Sequence, residues 1–74
     1  MHTKITIHTE TITLGQFLKL TNVLDSGGMI KNYLKDVGVY INGELEHRRG
    51  RKLYAEDVVE IKDVDSFVVK REEE

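Results

Sequence analysis

The 74-residue chain has no cysteine and no proline, and it carries no apolar run approaching the length of a membrane span. Without cysteine there are no disulfides, no thiol chemistry and no Cys/His cluster for a structural zinc, so stability must come from packing alone. The same absence fits a reducing compartment. Without proline nothing marks a linker, and no internal repeat or low-complexity segment is visible. Met1-His2-Thr3-Lys4 leads into alternating residues rather than the apolar core of a signal peptide, so the expectation is a soluble, cytoplasmic protein that does not engage a membrane. A chain this short supports one small core and one domain, and 39% hydrophobic residues make it globular rather than disordered.

A converging catalytic constellation is missing too. There is no thiol nucleophile, His2 and His8 lie near one end, and the acidic residues occupy turns or alternating surface positions. Neither enzymatic activity nor a cofactor or metal is expected. Asp63 and Asp65 read as turn formers, with loose cation binding the weaker alternative.

What the chain does have is polarised charge. The formal net charge is −2, yet Arg48, Arg49, Arg51 and Lys52 put four cations within five residues. Most of the acids lie in Glu56 to Asp65 and in the tail Glu72-Glu73-Glu74, so the net value conceals a surface of two signs. Charge this localised points to a polyanionic partner.

Lys4 to His8 alternates and reads as a half-buried strand. Thr13 caps a short first helix carrying Leu14, Phe17 and Leu18 and ending near Thr21-Asn22, with Gln16 three residues after the cap. Ser26-Gly27-Gly28 opens a second helix with an apolar stripe of Met29, Ile30, Tyr33, Leu34 and Val37, and Gly38 suits the left-handed residue that ends it. Strands follow at Val39-Ile41, Glu44-Glu46, Val58-Ile61 and Phe67-Val69, the first two joined by the hairpin turn Asn42-Gly43. The tail after Lys70 is expected to fray.

The candidate binding residues each have a plain alternative. Arg48, Arg49, Arg51 and Lys52 can grip phosphate oxygens, with Gly50 allowing close approach, or they form a solvated loop. Lys31 and Lys35, one helical turn apart, either widen that patch or are two solvated lysines. Gly27 and Gly28 at a positive helix end can admit a phosphate, or Ser26 is simply an N-cap. The segment is too short for a Gly-Lys-Ser nucleotide loop. Tyr40 points away from the core between Val39 and Ile41, where it can stack on an unpaired base. Tyr33 belongs to the apolar stripe and reads as core, while Tyr54 is open between a hydrophobic plug and base stacking.

Taken in order, these elements resemble a known family. Leu14 to Ile61 is similar to the alpha-L RNA-binding domain first described in ribosomal small-subunit protein four. Its pattern is two short helices, Val-x-Val-Asn-Gly, a variable basic segment and a Gly-Asp-x-Val turn into a strand. Here these stand as Val39-Tyr40-Ile41-Asn42-Gly43 and Glu56-Asp57-Val58-Val59. Ile12 to Lys19, Ser26-Gly27-Gly28 and Arg48 to Leu53 further resemble the small stand-alone bacterial proteins of the YaaA type. The resemblance implies binding to structured RNA, ribosomal RNA in particular, with the ribosome or its assembly intermediates as partner and no attached catalytic domain. Two positions depart from the pattern. Gly27-Gly28 replaces a Ser-Arg start, leaving Lys31 to substitute, and Glu56 replaces the turn glycine, which must avoid positive φ or bear strain.

The expected fold is α+β, two short helices on a small, mainly antiparallel sheet. A single domain spans 1–74, with its core at 14–61 and extra terminal strands at 4–8 and 67–70, and the chain is expected to act as a monomer. The competing functional class is a protein-interaction module that uses a strand edge and the basic loop.

Overall fold

The alternation around Ile5 and Ile7 becomes strand β1 (Thr3–Ile7) in a computed structural model that describes residues 2–24 and 26–72. After it come β2 (Thr11–Thr13), α1 (Leu14–Leu20) and α2 (Gly27–Asp36). The rest is strand: β3 (Val39–Ile41), β4 (Glu44–Glu46), β5 (Lys52–Tyr54), β6 (Val58–Ile61) and β7 (Asp65–Arg71). Five strands form one sheet in the order β1-β7-β6-β3-β4, in which β1 runs parallel to β7 and the other neighbours are antiparallel. β2 and β5 form a separate antiparallel ribbon.

Both helices start where their capping residues dictate. Thr13 Oγ1 accepts the N–H of Gln16 at 3.3 Å, and Ser26 Oγ accepts the N–H of Met29 at 3.2 Å, each satisfying a donor with no partner inside its helix. α2 stops at Gly38, whose φ of +84° and N–H to the Tyr33 carbonyl close the last turn. A Cβ there would lie 2.9 Å from the Glu46 carbonyl oxygen and from the His47 ring, so glycine is required on two counts. Asn42 and Gly43 both have positive φ, the two-residue turn that matches the twist of the paired strands. The Asn42 side chain also accepts the N–H of Val58 at 2.9 Å and donates to Asp57, tying that turn to β6.

Leu14, Phe17 and Leu18 of α1 and Ile30 and Leu34 of α2 are buried against the inward residues of the sheet, and Leu53 of the ribbon joins the same core. The apolar stripe of α2 is narrower than its sequence suggests. Met29 and Val37 are exposed, because only positions 30 and 34, with Tyr33 at their edge, meet the sheet.

Three further expectations change. The terminal strands run over 3–7 and 65–71, and the Glu72 N–H bonds the Ile7 carbonyl at 2.9 Å, so ordered pairing passes Lys70; Glu73 and Glu74 lie outside the described residues. Lys52 and Tyr54, read with a basic loop, are strand residues of the ribbon. Glu56 takes a φ of +77°, so its turn bears left-handed strain, with the Glu56 N–H bonded to the Val69 carbonyl and its carboxylate to Lys70.

Candidate nucleic-acid interface

The basic segment is folded back onto the start of α1. The first N–H groups of a helix have no intrahelical partner, and here the backbone of the basic segment supplies two. Leu14 N–H donates to the Arg51 carbonyl at 2.8 Å and Gly15 N–H to the Arg49 carbonyl at 2.9 Å. Gly15 then makes a side-chain approach possible. A Cβ at that position would sit 2.5 Å from Arg49 Cγ, so the Arg49 chain lies where any larger residue would stand.

Glu46 organises the other side of the segment. It is only 7% exposed, and its carboxylate accepts from Arg48 Nε and Nη2, from Arg51 Nη1 and from the backbone N–H groups of His47 and Arg48, all at 3.1 Å. The Arg48 fork, opposed by burial and helped by the Arg48 N–H and by Arg51, holds the Glu46 carboxyl down from 4.5 to about 2. His47 is anchored as well. Its Nδ1–H donates to the Leu34 carbonyl at 2.6 Å, linking the segment to the end of α2; a carbonyl only accepts, so the proton is on Nδ1.

Between α1, the start of α2 and this loop lies a cleft of about 320 Å³, walled by Thr13, Gly15, Lys19, Gly27, Arg49 and Gly50 among others. Two cations therefore face one cleft that also receives the positive end of the ten-residue helix α2. Among the described residues Lys19, Arg49, Lys52, Lys31 and Lys35 form no ion pair, whereas Arg48 and Arg51 are tied to Glu46. Arg48 nonetheless keeps 77% of its side chain in solvent, while Arg51 keeps 29%.

The sequence-derived residues thus separate by position. Arg49, Gly50 and Gly27 meet at the cleft, and Lys52 stands on the ribbon opposite Thr13, a cleft wall. Gly28 is exposed, and among the described residues a Cβ on either Gly27 or Gly28 would strike nothing nearer than 3.9 Å, so none of them demands glycine there by packing. Lys31 follows the buried Ile30 on the exposed face of α2, and Lys35 lies in its last turn. Tyr40 is outward as expected, on the sheet face turned from the helices, with Leu45 and Glu60 as its cross-strand neighbours. Lys19, Gly15 and Glu46 were not singled out by sequence reasoning. Lys19 sits four residues after Gly15, one turn along the same helix face, and that spacing was the available signal.

No helix among the described residues is long and apolar enough to cross a membrane. A family model described as S4 domain matches residues 5–70. The chain is also 56% identical over 69 residues to the Bacillus subtilis (strain 168) protein named Probable ribosome maturation protein RlbA, a match covering 93% of this chain and 97% of that protein.

Proposed function

The chain belongs to the S4 domain family, and from that membership we propose that it binds structured RNA, ribosomal RNA above all, in the service of ribosome maturation and without a catalytic step of its own. The observation that carries this reading is the cleft in which Lys19 and Arg49 converge beside the start of α2, on a protein whose net charge is −2. A phosphate backbone is the polyanion such a site fits. Arg49 would fork onto one phosphate and Lys19 onto a neighbour, with Lys52, Lys31 and Lys35 extending the track. Arg48 and Arg51 contribute from the Glu46 clamp, Arg48 through its solvent-exposed guanidinium. Gly27 and Gly28 leave the backbone of α2 open to close approach. Because these contacts address phosphates, the RNA is recognised by backbone and shape rather than by base sequence.

Ultraviolet crosslinking in cells, followed by sequencing of the attached RNA, tests the proposal. The expected result is one dominant ribosomal helix, and attached RNA no richer in ribosomal sequence than a mock purification would defeat it. With purified components, neutralisation of about four to six phosphates predicts that log affinity falls with log salt at a slope of roughly −3 to −5. A slope near zero excludes the phosphate track.

A further inference from the structure

The β2–β5 ribbon has one face in the core and an outer face, of which Thr13 also caps α1. Ile12 and Leu53, directly opposite each other, pack inward, so the period of two turns Thr11, Thr13, Lys52 and Tyr54 outward. On that outer face Lys52 pairs with Thr13 and Tyr54 pairs with Thr11. An aromatic ring and a cation therefore stand side by side, each facing a small hydroxyl residue, and Thr13 is at the same time a wall of the cationic cleft.

Tyr54 is 56% exposed, whereas Tyr33 is half-buried against the core. Its backbone is nevertheless fixed: the Tyr54 N–H donates to Asp57 Oδ2 at 2.9 Å and its carbonyl accepts the Asp57 N–H at 3.1 Å. With its backbone held in place, the ring has less freedom to lose on capturing a flat partner than one carried on a loose loop. Of the nearby acids, Glu56 is paired with Lys70, and Asp57 is turned to the backbone, its two oxygens accepting from the Tyr54 N–H and the Asn42 amide. The other outward tyrosine has a different setting, since Tyr40 at 39% exposure lies between Leu45 and Glu60, which forms no ion pair among the described residues.

We infer that the Lys52–Tyr54 face of the ribbon is a nucleotide subsite, in which an unpaired base stacks on Tyr54 while Lys52 holds its phosphate. This rests on the RNA reading above and narrows it. The RNA taken by this protein carries an extruded or single-stranded nucleotide next to the segment whose phosphates enter the cleft. Aromatic stacking accepts any base, so the subsite selects for an unpaired base and not for its identity.

Two RNA hairpins decide the matter, one fully paired and one identical except for an unpaired bulge. Each is titrated with the wild-type chain, with Tyr54→Phe and with Tyr54→Thr, the last keeping a strand-forming residue. On the bulged hairpin wild type and Tyr54→Phe should bind roughly tenfold or more tightly than Tyr54→Thr, the size of one stacked base. On the paired hairpin all three should bind alike, and their thermal melts should coincide. Equal binding of the bulged hairpin by Tyr54→Thr and wild type overturns the subsite. So does an equal loss on both hairpins, which would make Tyr54 a general contact, or a loss in Tyr54→Phe as deep as in Tyr54→Thr, which would assign the effect to the hydroxyl. Failure of the wild type to bind either hairpin strikes the RNA reading itself and takes the subsite with it.

Discussion

Replacing Glu46 by glutamine keeps the shape of a buried side chain and removes its charge. Five N–H donors converge on that carboxylate, among them the fork of Arg48 and one guanidinium nitrogen of Arg51. An amide can accept some of these bonds, but its NH₂ group faces a guanidinium and Arg51, which is 29% exposed, loses its counter-charge. Taken alone, the displacement of the Glu46 carboxyl from 4.5 to about 2 corresponds to a linkage free energy of about 3 kcal/mol. Arg48, the first cause of that displacement, stands 77% in solvent, and screening there reduces the contribution to about 1–2 kcal/mol. For a domain of this length that is a loss of roughly 5–15 °C in Tm at neutral pH. The sign of the pH dependence follows from a depressed carboxyl: the stabilisation is complete above the unfolded value near 4.5 and disappears as pH falls through about 2. Glutamine does not titrate. Melts of wild type and Glu46→Gln by circular dichroism should therefore differ at pH 7 and converge between pH 5 and pH 2. Coincident melts at pH 7 would show that the Glu46 clamp adds nothing, and a gap unchanged down to pH 2 would show that its contribution does not come from the ionised carboxylate.

The basic segment gives a second test, and its residues are not equivalent: Arg49 serves the fold through its carbonyl, whereas Arg51 also serves it through its side chain. Arg49→Glu should leave the melt nearly unchanged and weaken ribosomal RNA binding at least about tenfold, or ~1.4 kcal/mol, and unchanged binding would remove Arg49 from the interface. Arg51→Glu, which sets like charges against a buried carboxylate, should lower the melt as well. Gly28→Ala should raise stability by about 0.5–1 kcal/mol in chemical denaturation, because among the described residues a Cβ there meets only Ser26 Oγ at 3.9 Å. Gly28→Glu should fold but bind RNA weakly, and wild-type binding by that variant would place α2 away from the phosphates. Glu56→Gly should stabilise the protein by up to about 1 kcal/mol, since glycine accepts a φ of +77° and the exposed pair with Lys70 contributes little; a lower denaturant midpoint would contradict this.

Elements specified by neighbouring residues were legible in the sequence. Thr13 with Gln16, Ser26, Asn42-Gly43 and Gly38 each announce a local geometry, and each takes it. The β2–β5 ribbon was not legible. Its strands have three residues each with one inward side chain, too few to display a period, and their partners are about forty positions apart. Glu46 looked like one acid among basic neighbours, and nothing local foretold that it would be buried with two arginines and two backbone N–H groups turned onto it. The cleft is equally non-local: Lys19 and Arg49 meet only because the Arg49 and Arg51 carbonyls cap α1. The expected widths of the α2 stripe and of the terminal strands erred for a related reason, since burial and pairing are settled by the facing element and not by the segment.

The parallel pairing of β1 with β7 has a consequence for how the chain is made. Thr3 lies against Phe67, and the two are synthesised sixty-four residues apart. At about 5–20 residues per second, β1 waits several seconds for the strand that shelters it. During that interval α1, α2 and the β3–β4 hairpin can assemble from contacts close in sequence, while β1, made before them, still waits for its partner. Its composition suits the delay. Of the five residues in β1 only Ile5 and Ile7 are apolar, and Thr3, Lys4 and Thr6 between and before them keep the waiting strand too polar and too charged to seek a partner in another nascent chain.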